Sequence, residues 1–133
     1  MKKELELKLV EKYPTLYQRY GGDMRKTCMH WGFEHGDGWY NLIDELSSKL
    51  EPFGIITEQV KEKFGGLRFY CDYPKHLSEK DINKIREIKN IYENLSYHTC
   101  EKCGKPGEVR RGGWIQTLCD ECDKPKYDNL DKE

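Results

Sequence analysis

CEKCGKPGEVRRGGWIQTLCDEC, Cys100 to Cys122, is the stretch on which the fold of this chain turns. Cys100 and Cys103 form one Cys-x-x-Cys pair, Cys119 and Cys122 form another, and a spacer of 15 residues lies between them. A Cys-x-x-Cys turn sets two thiolates on one side of a tight loop, at about the separation that one edge of a metal tetrahedron needs. Two such turns close the tetrahedron. The spacer has the length and the Gly112-Gly113 centre of a hairpin that would return Cys119 to Cys103. Gly104, directly after Cys103, suits a turn in which backbone N–H groups approach sulfur. This pattern and spacing predict one structural zinc ion held by Cys100, Cys103, Cys119 and Cys122. A segment this small needs such a staple to fold.

Working outward, residues 1–97 read as an α+β body, 98–122 as the zinc module packed on it, and 123–133 as a flexible charged tail. The expected class is α+β, with helices packed on a small antiparallel hairpin or sheet and a C-terminal zinc-ribbon-like, or treble-clef-like, module. Leu5 and Leu9 predict a helix over 3–12. Trp39, Leu42, Ile43, Leu46 and Leu50 recur at steps of three and four, which places a core helix over about 38–50, ahead of Pro52 and Gly54. Ser78 with Asp81 resembles a capping box, and Ile82, Ile85, Ile88, Tyr92 and Leu95 mark a helix over about 79–96.

Between those helices, Ile55 to Tyr73 predicts a hairpin turning at Gly65-Gly66. In that register Phe64 pairs with Leu67, Glu62 with Phe69 and Val60 with Cys71, leaving Lys61, Lys63, Arg68 and Tyr70 on the opposite face. The competing reading is a short helix over 58–64, capped by Thr57. Glu62 falls on the apolar face and needs either an arginine partner or a different register.

Lys and Arg number 23 against 24 Asp and Glu, a formal charge of -1, so no overall pull toward nucleic acid or anionic membrane is expected. No apolar run of membrane-spanning length appears, and Met1 to Lys8 is charged where a signal peptide is apolar, which predicts a cytoplasmic protein without a membrane role. The remaining cysteines, Cys28 and Cys71, have no partner at metal spacing, and His98 stands near Cys100 but would be a fifth ligand.

Three functional classes stay open. Trp31, Lys61, Lys63, Arg68 and Tyr70 could hold a small anionic ligand or nucleotide, or meet a host protein, in a noncatalytic binding protein. Arg110, Arg111 and Trp114 on the module could grip phosphates and stack bases, although residues 98–126 hold six Lys/Arg against five Asp/Glu. Finally, His30, Glu34, His35 and Asp37 could serve a metal-dependent nuclease or nucleotide hydrolase. Gly36-Asp37-Gly38 ahead of a helix reads either as an anion loop or as a loop in which Asp37 caps that helix.

Gly36-Asp37-Gly38-Trp39 with Leu42-Ile43-Asp44-Glu45-Leu46, the run Gln59 to Tyr70 (QVKEKFGGLRFY), Cys100 to Gly107, and Gly113 to Asp120 together resemble a family of small phage and prophage proteins of unassigned function. The resemblance covers about residues 28–122 and implies a phage accessory protein acting in a bacterial host cell. Members often carry His where this chain has Cys122, an exchange that keeps a zinc ligand, and Cys where it has His35, which argues against an indispensable catalytic base there.

Overall fold

The computed structural model describes residues 1–124. In chain order these form α1 (Lys3–Lys12), β1 (Phe33–Glu34), α2 (Tyr40–Leu50), β2 (Ile56–Lys63), β3 (Gly66–Asp72), α3 (Glu79–Ser96), β4 (Glu108–Arg110), β5 (Gln116–Leu118) and α4 (Asp120–Asp123), with 3-10 turns at Cys28–Trp31, Asp37–Trp39 and Glu51–Phe53. One sheet has the order β1-β2-β3 and the second is the β4-β5 hairpin. The class is α+β. The expected tail lies outside the described residues from 125 onward; Asp123, assigned to it, is instead the last residue of α4.

The helices follow their apolar spacing. Trp39, Leu42, Ile43, Leu46 and Leu50 are all buried, and α2 runs into a 3-10 turn that ends at Gly54, in the left-handed region at φ 70°. α3 begins as expected, with Ser78 Oγ accepting the Asp81 N–H at 3.1 Å. Its buried face differs at the end, where Leu95 is exposed and Ser96 is buried. The Ser96 hydroxyl accepts the Leu67 N–H at 2.8 Å, joining the helix to the start of β3. Ser96 lies one regular helical turn after the buried Tyr92, which points it inward.

Residues 56–72 are a hairpin rather than a helix and strand, but the register is displaced. Val60 faces Phe69, Lys61 faces Arg68, Glu62 faces Leu67 and Lys63 faces Gly66, so the turn is Phe64-Gly65 instead of Gly65-Gly66. Both turn residues have positive φ, 54° and 87°, as a two-residue turn matched to strand twist requires. Gly66 is reserved for another purpose: a Cβ there would stand 2.2 Å from the Tyr97 ring. Because each residue's partner moves by two, Val60, Leu67 and Phe69 keep their expected face, whereas Phe64, expected there opposite Leu67, moves into the turn and is exposed. Val60, Leu67 and Phe69 are buried, while Lys61 and Arg68 remain opposite each other on the other side. Cys71 faces Thr57 beyond an irregularity between Thr57 and Gln59, and Glu62 takes the Gly65 N–H at 2.7 Å in place of an arginine.

β1 adds to this hairpin in parallel, Phe33 beside Val60 and Glu34 beside Lys61. A carboxylate anchors it. Glu6, buried on α1, accepts the Phe33 N–H at 2.8 Å and the Tyr20 hydroxyl at 2.7 Å. The apolar core then gathers α1, α2, α3 and the sheet around Tyr17, Phe33, Trp39 and Phe69.

Candidate metal centre

Cys100 to Gly104 fold into a tight knuckle. The Gly104 N–H donates to the Cys100 carbonyl at 2.9 Å, and Gly104 sits at φ 82°, where a side chain would be strained. β4 and β5 pair with Glu108 opposite Leu118, Val109 opposite Thr117 and Arg110 opposite Gln116, which carries Cys119 back to the knuckle. Cys119 then stands before the single turn of α4, and its sulfur accepts the Cys122 N–H at 3.5 Å. The second pair therefore lies on a helical turn rather than on another knuckle.

The four sulfur atoms lie within 4.8 Å of one another, and Cys103 and Cys119 are 3.5 Å apart. A tetrahedral ion with thiolate bonds near 2.3 Å sets sulfurs about 3.8 Å apart, so the cage has the right size. All six cysteines of the chain are free thiols. Burial pushes the Cys100 thiol up, but N–H groups of Cys119, Cys103 and Lys102 aimed at it outweigh that and hold it at about 6. Burial and the neighbouring thiols push Cys122 up to about 12. Four sulfurs this close, with the Cys100 thiol lowered and the Cys122 thiol raised, are a donor set that a soft divalent cation would complete. Among the described residues no other group of His, Cys, Asp or Glu converges in this way.

The knuckle is seated on the glycine loop before α2. A Cβ on Gly38 would lie 2.2 Å from the Cys100 carbonyl oxygen and 2.6 Å from the Gly104 nitrogen, and one on Gly36 would lie 2.4 Å from the Glu101 oxygen. The Gly38 N–H donates to the Glu101 carbonyl at 2.7 Å, the Gly36 N–H to Glu101 Oε2 at 2.8 Å, and Trp39 Nε1 to the Thr99 carbonyl at 2.9 Å. Module backbone thus fills the space that an anion would occupy. Asp37 does not cap α2; it accepts the Lys2 N–H at 2.7 Å, ahead of α1. On the other side of the module Thr117 Oγ1 donates to the Gly65 carbonyl at 2.6 Å and the Thr117 carbonyl accepts the Glu101 N–H at 2.9 Å. Glu101 and Thr117, both buried, are the docking residues that sequence reasoning missed. Paired glycines beside a tryptophan were the available signal.

The other candidates are dispersed. His98 is exposed and outside the sulfur cluster. His30 Nδ1 meets the Gly22 carbonyl at 2.7 Å, Glu34 is exposed on β1, and Asp37 is engaged by Lys2, so the set His30, Glu34, His35 and Asp37 forms no shared centre. Lys61, Arg68 and Tyr70 do share a sheet face, with the Lys61 ammonium 6.0 Å from the Tyr70 ring and Arg68 donating to the Tyr97 hydroxyl at 3.1 Å. None of the four clefts around the β4-β5 hairpin, the two hairpin tips and Arg19 is lined by Lys61, Arg68, Tyr70 or Trp31, and Trp31 is exposed at its own turn. Arg110 is consumed internally by Glu108, Asp120, Asp123 and the Leu118 carbonyl. Arg111 and Trp114 remain exposed.

His35 is buried, with Nδ1 on the Gly36 carbonyl at 2.8 Å and Nε2 without a partner among the described residues. Burial lowers its pKa to about 4, against the opposing pull of that carbonyl. The unfolded chain therefore binds the extra proton first, and this part of the stability is whole above about pH 6.5 and is lost as pH falls toward 4. Between pH 7.5 and 5 the wild type should lose about 2 kcal/mol more than His35→Leu in urea denaturation. Parallel losses in the two proteins would contradict a neutral buried imidazole.

No helix among the described residues is long and apolar enough to cross a membrane. Comparisons with protein-family models, with curated proteins and with solved structures give no match.

Proposed function

We propose that this chain is a noncatalytic binding protein, a phage-type accessory factor, in which one structural zinc ion on Cys100, Cys103, Cys119 and Cys122 holds a recognition surface in place. The observation that carries this reading is the closed set of four sulfurs, two on a knuckle locked to the body and two at the turn of α4. Four protein thiolates fill a tetrahedral zinc, leaving no position for water or substrate, and such sites contribute folding energy. What zinc maintains here is the β4-β5 hairpin, whose Trp114 is 75% exposed.

The shape of the surface favours a macromolecular partner over a sequestered small ligand. Lys61 and Arg68 lie on a sheet face with their cations already directed at Tyr70 and Tyr97. Small-molecule sites instead enclose most of the ligand. A nucleic acid is the second reading, supported by Trp114 and Arg111 at the hairpin end, without Arg110.

The test is affinity capture from bacterial lysate by zinc-loaded and zinc-stripped protein, with retained protein and nucleic acid analysed separately. The expected result is a partner held, unaltered, by the zinc-loaded form alone. Protein-dependent cleavage of nucleic acid or hydrolysis of nucleotide, or equal capture by both forms, would contradict the reading.

A further inference from the structure

The second cysteine pair stands on an element that cannot hold itself. α4 has four residues, none of them buried, where an isolated helix needs roughly 12 to be even marginally stable. Cys122, its one apolar residue, packs against the small cluster of Cys100, Leu118 and Cys119. A metal bond, by contrast, fixes its sulfur to within about 0.2 Å. Something other than packing has to set this turn in place.

A guanidinium does so. Arg110, the last residue of β4, reaches back along the hairpin, and its Nε and Nη2 donate to the Leu118 carbonyl at 3.2 and 3.0 Å. Leu118 directly precedes Cys119. Nη2 also donates to Asp120 Oδ1 at 2.9 Å, and Nη1 lies 3.5 Å from Asp123 Oδ2. Asp120 directly follows Cys119, and Asp123 directly follows Cys122. On its own strand, Glu108 Oε1 stands 3.2 Å from Nη1. One planar group therefore ties β4 to the end of β5 and to both ends of α4, and the fixed directions of its N–H donors hold all three in one geometry.

Stability alone does not account for the arrangement. Ion pairs in solvent are individually weak, and Asp120 is 91% exposed. Lys105 and Glu121 join the knuckle to α4 as well, but at 3.7 Å with both side chains largely exposed. Arg110 differs in being half-buried and in holding a backbone carbonyl next to a ligand with two donors.

We propose that Arg110 is a positioning residue of the metal centre, setting the Cys119–Cys122 turn for the ion as Gly36 and Gly38 seat the Cys100–Cys103 knuckle. The proposal rests on the structural-zinc reading and names a residue outside the four ligands on which zinc affinity depends. Groups that orient metal ligands from outside the coordination shell typically govern affinity by about 10- to 100-fold.

The test is competition for zinc between a chromophoric chelator and the full chain, as wild type, Arg110→Gln and Arg111→Gln. Arg111 is the neighbouring control, exposed and without an ion pair among the described residues. Arg110→Gln should weaken zinc binding by about 10- to 100-fold, and Arg111→Gln should leave it unchanged. At saturating zinc, mass mapping after limited alkylation should show that Arg110→Gln speeds modification of Cys119 and Cys122 over wild type more than that of Cys100 and Cys103. General loss of module stability would not single out the second pair. Equal zinc affinity of the two variants, or alkylation of all four cysteines accelerated alike in Arg110→Gln, would overturn the proposal and leave the zinc reading standing. Wild-type protein that takes up no zinc would remove both.

Discussion

Stripping zinc with a strong chelator should unfold residues 98–124 while the body around Trp39 and Phe69 keeps its core. The module's own apolar cluster consists of Cys100, Leu118 and Cys119, with Cys122 packed against it. Three of these four residues are the proposed ligands, so almost nothing apolar survives metal loss. The body, by contrast, gathers its buried residues from Leu9 through Tyr92 and includes none from the module. Structural zinc sites of this type contribute on the order of 10 kcal/mol of apparent folding energy, far more than a hairpin with three-residue strands can replace. Amide spectra should show module resonances collapsing toward random-coil positions, with body resonances shifted mainly near Gly36 to Trp39. Cys103→Ser should reproduce the effect, whereas Cys71→Ser should retain full metal content. Unchanged module resonances after complete metal removal would show that packing alone holds residues 98–124.

Gly38→Ala should separate the module from the body even with zinc bound. The added methyl would meet the Cys100 carbonyl at 2.2 Å and the Gly104 nitrogen at 2.6 Å, both backbone atoms of a knuckle that a bound metal would make rigid. Relief requires moving the knuckle, which breaks the Gly38 N–H bond to Glu101 and disturbs the Trp39 bond to Thr99. Overpacking of this severity costs about 3 kcal/mol. Gly112→Ala is the matched control, because a Cβ there has nothing within 4 Å, and it should change stability by less than about 0.5 kcal/mol. Denaturation of the zinc-loaded proteins checks both. Equal stability of the two variants would mean that the glycine loop is not the seat of the module.

Local features were legible in the chain. The spacing of Trp39, Leu42, Ile43, Leu46 and Leu50 predicted α2 because a helix buries one stripe, and the two Cys-x-x-Cys pairs predicted the sulfur cluster because each turn fixes its own two thiols. Strand alternation placed Val60, Leu67 and Phe69 inward but left the register open, since a shift of two partners preserves their face. The observed register sets Gly66 under the Tyr97 ring, a contact between residues distant in sequence that strand alternation does not reveal. The same reason hid the role of Gly36 and Gly38. Glycine announces that something comes close, and the chain alone does not say that it is the knuckle. Arg110 looked available because the acids that surround it, Glu108, Asp120 and Asp123, come together only when the hairpin and α4 fold around it. Phe64, read as a strand residue facing the core, stands in solvent because the displaced turn carries it there, across a cleft from Trp114.

A metal ion on four thiolates is expected to organise the module. X-ray absorption at the zinc edge of purified protein, together with metal analysis, measures this directly. The expected result is one zinc per chain with a single shell of four sulfur neighbours at about 2.3 Å and no nitrogen or oxygen ligand. Protein without stoichiometric metal, or a shell that mixes sulfur with nitrogen or oxygen, would contradict it.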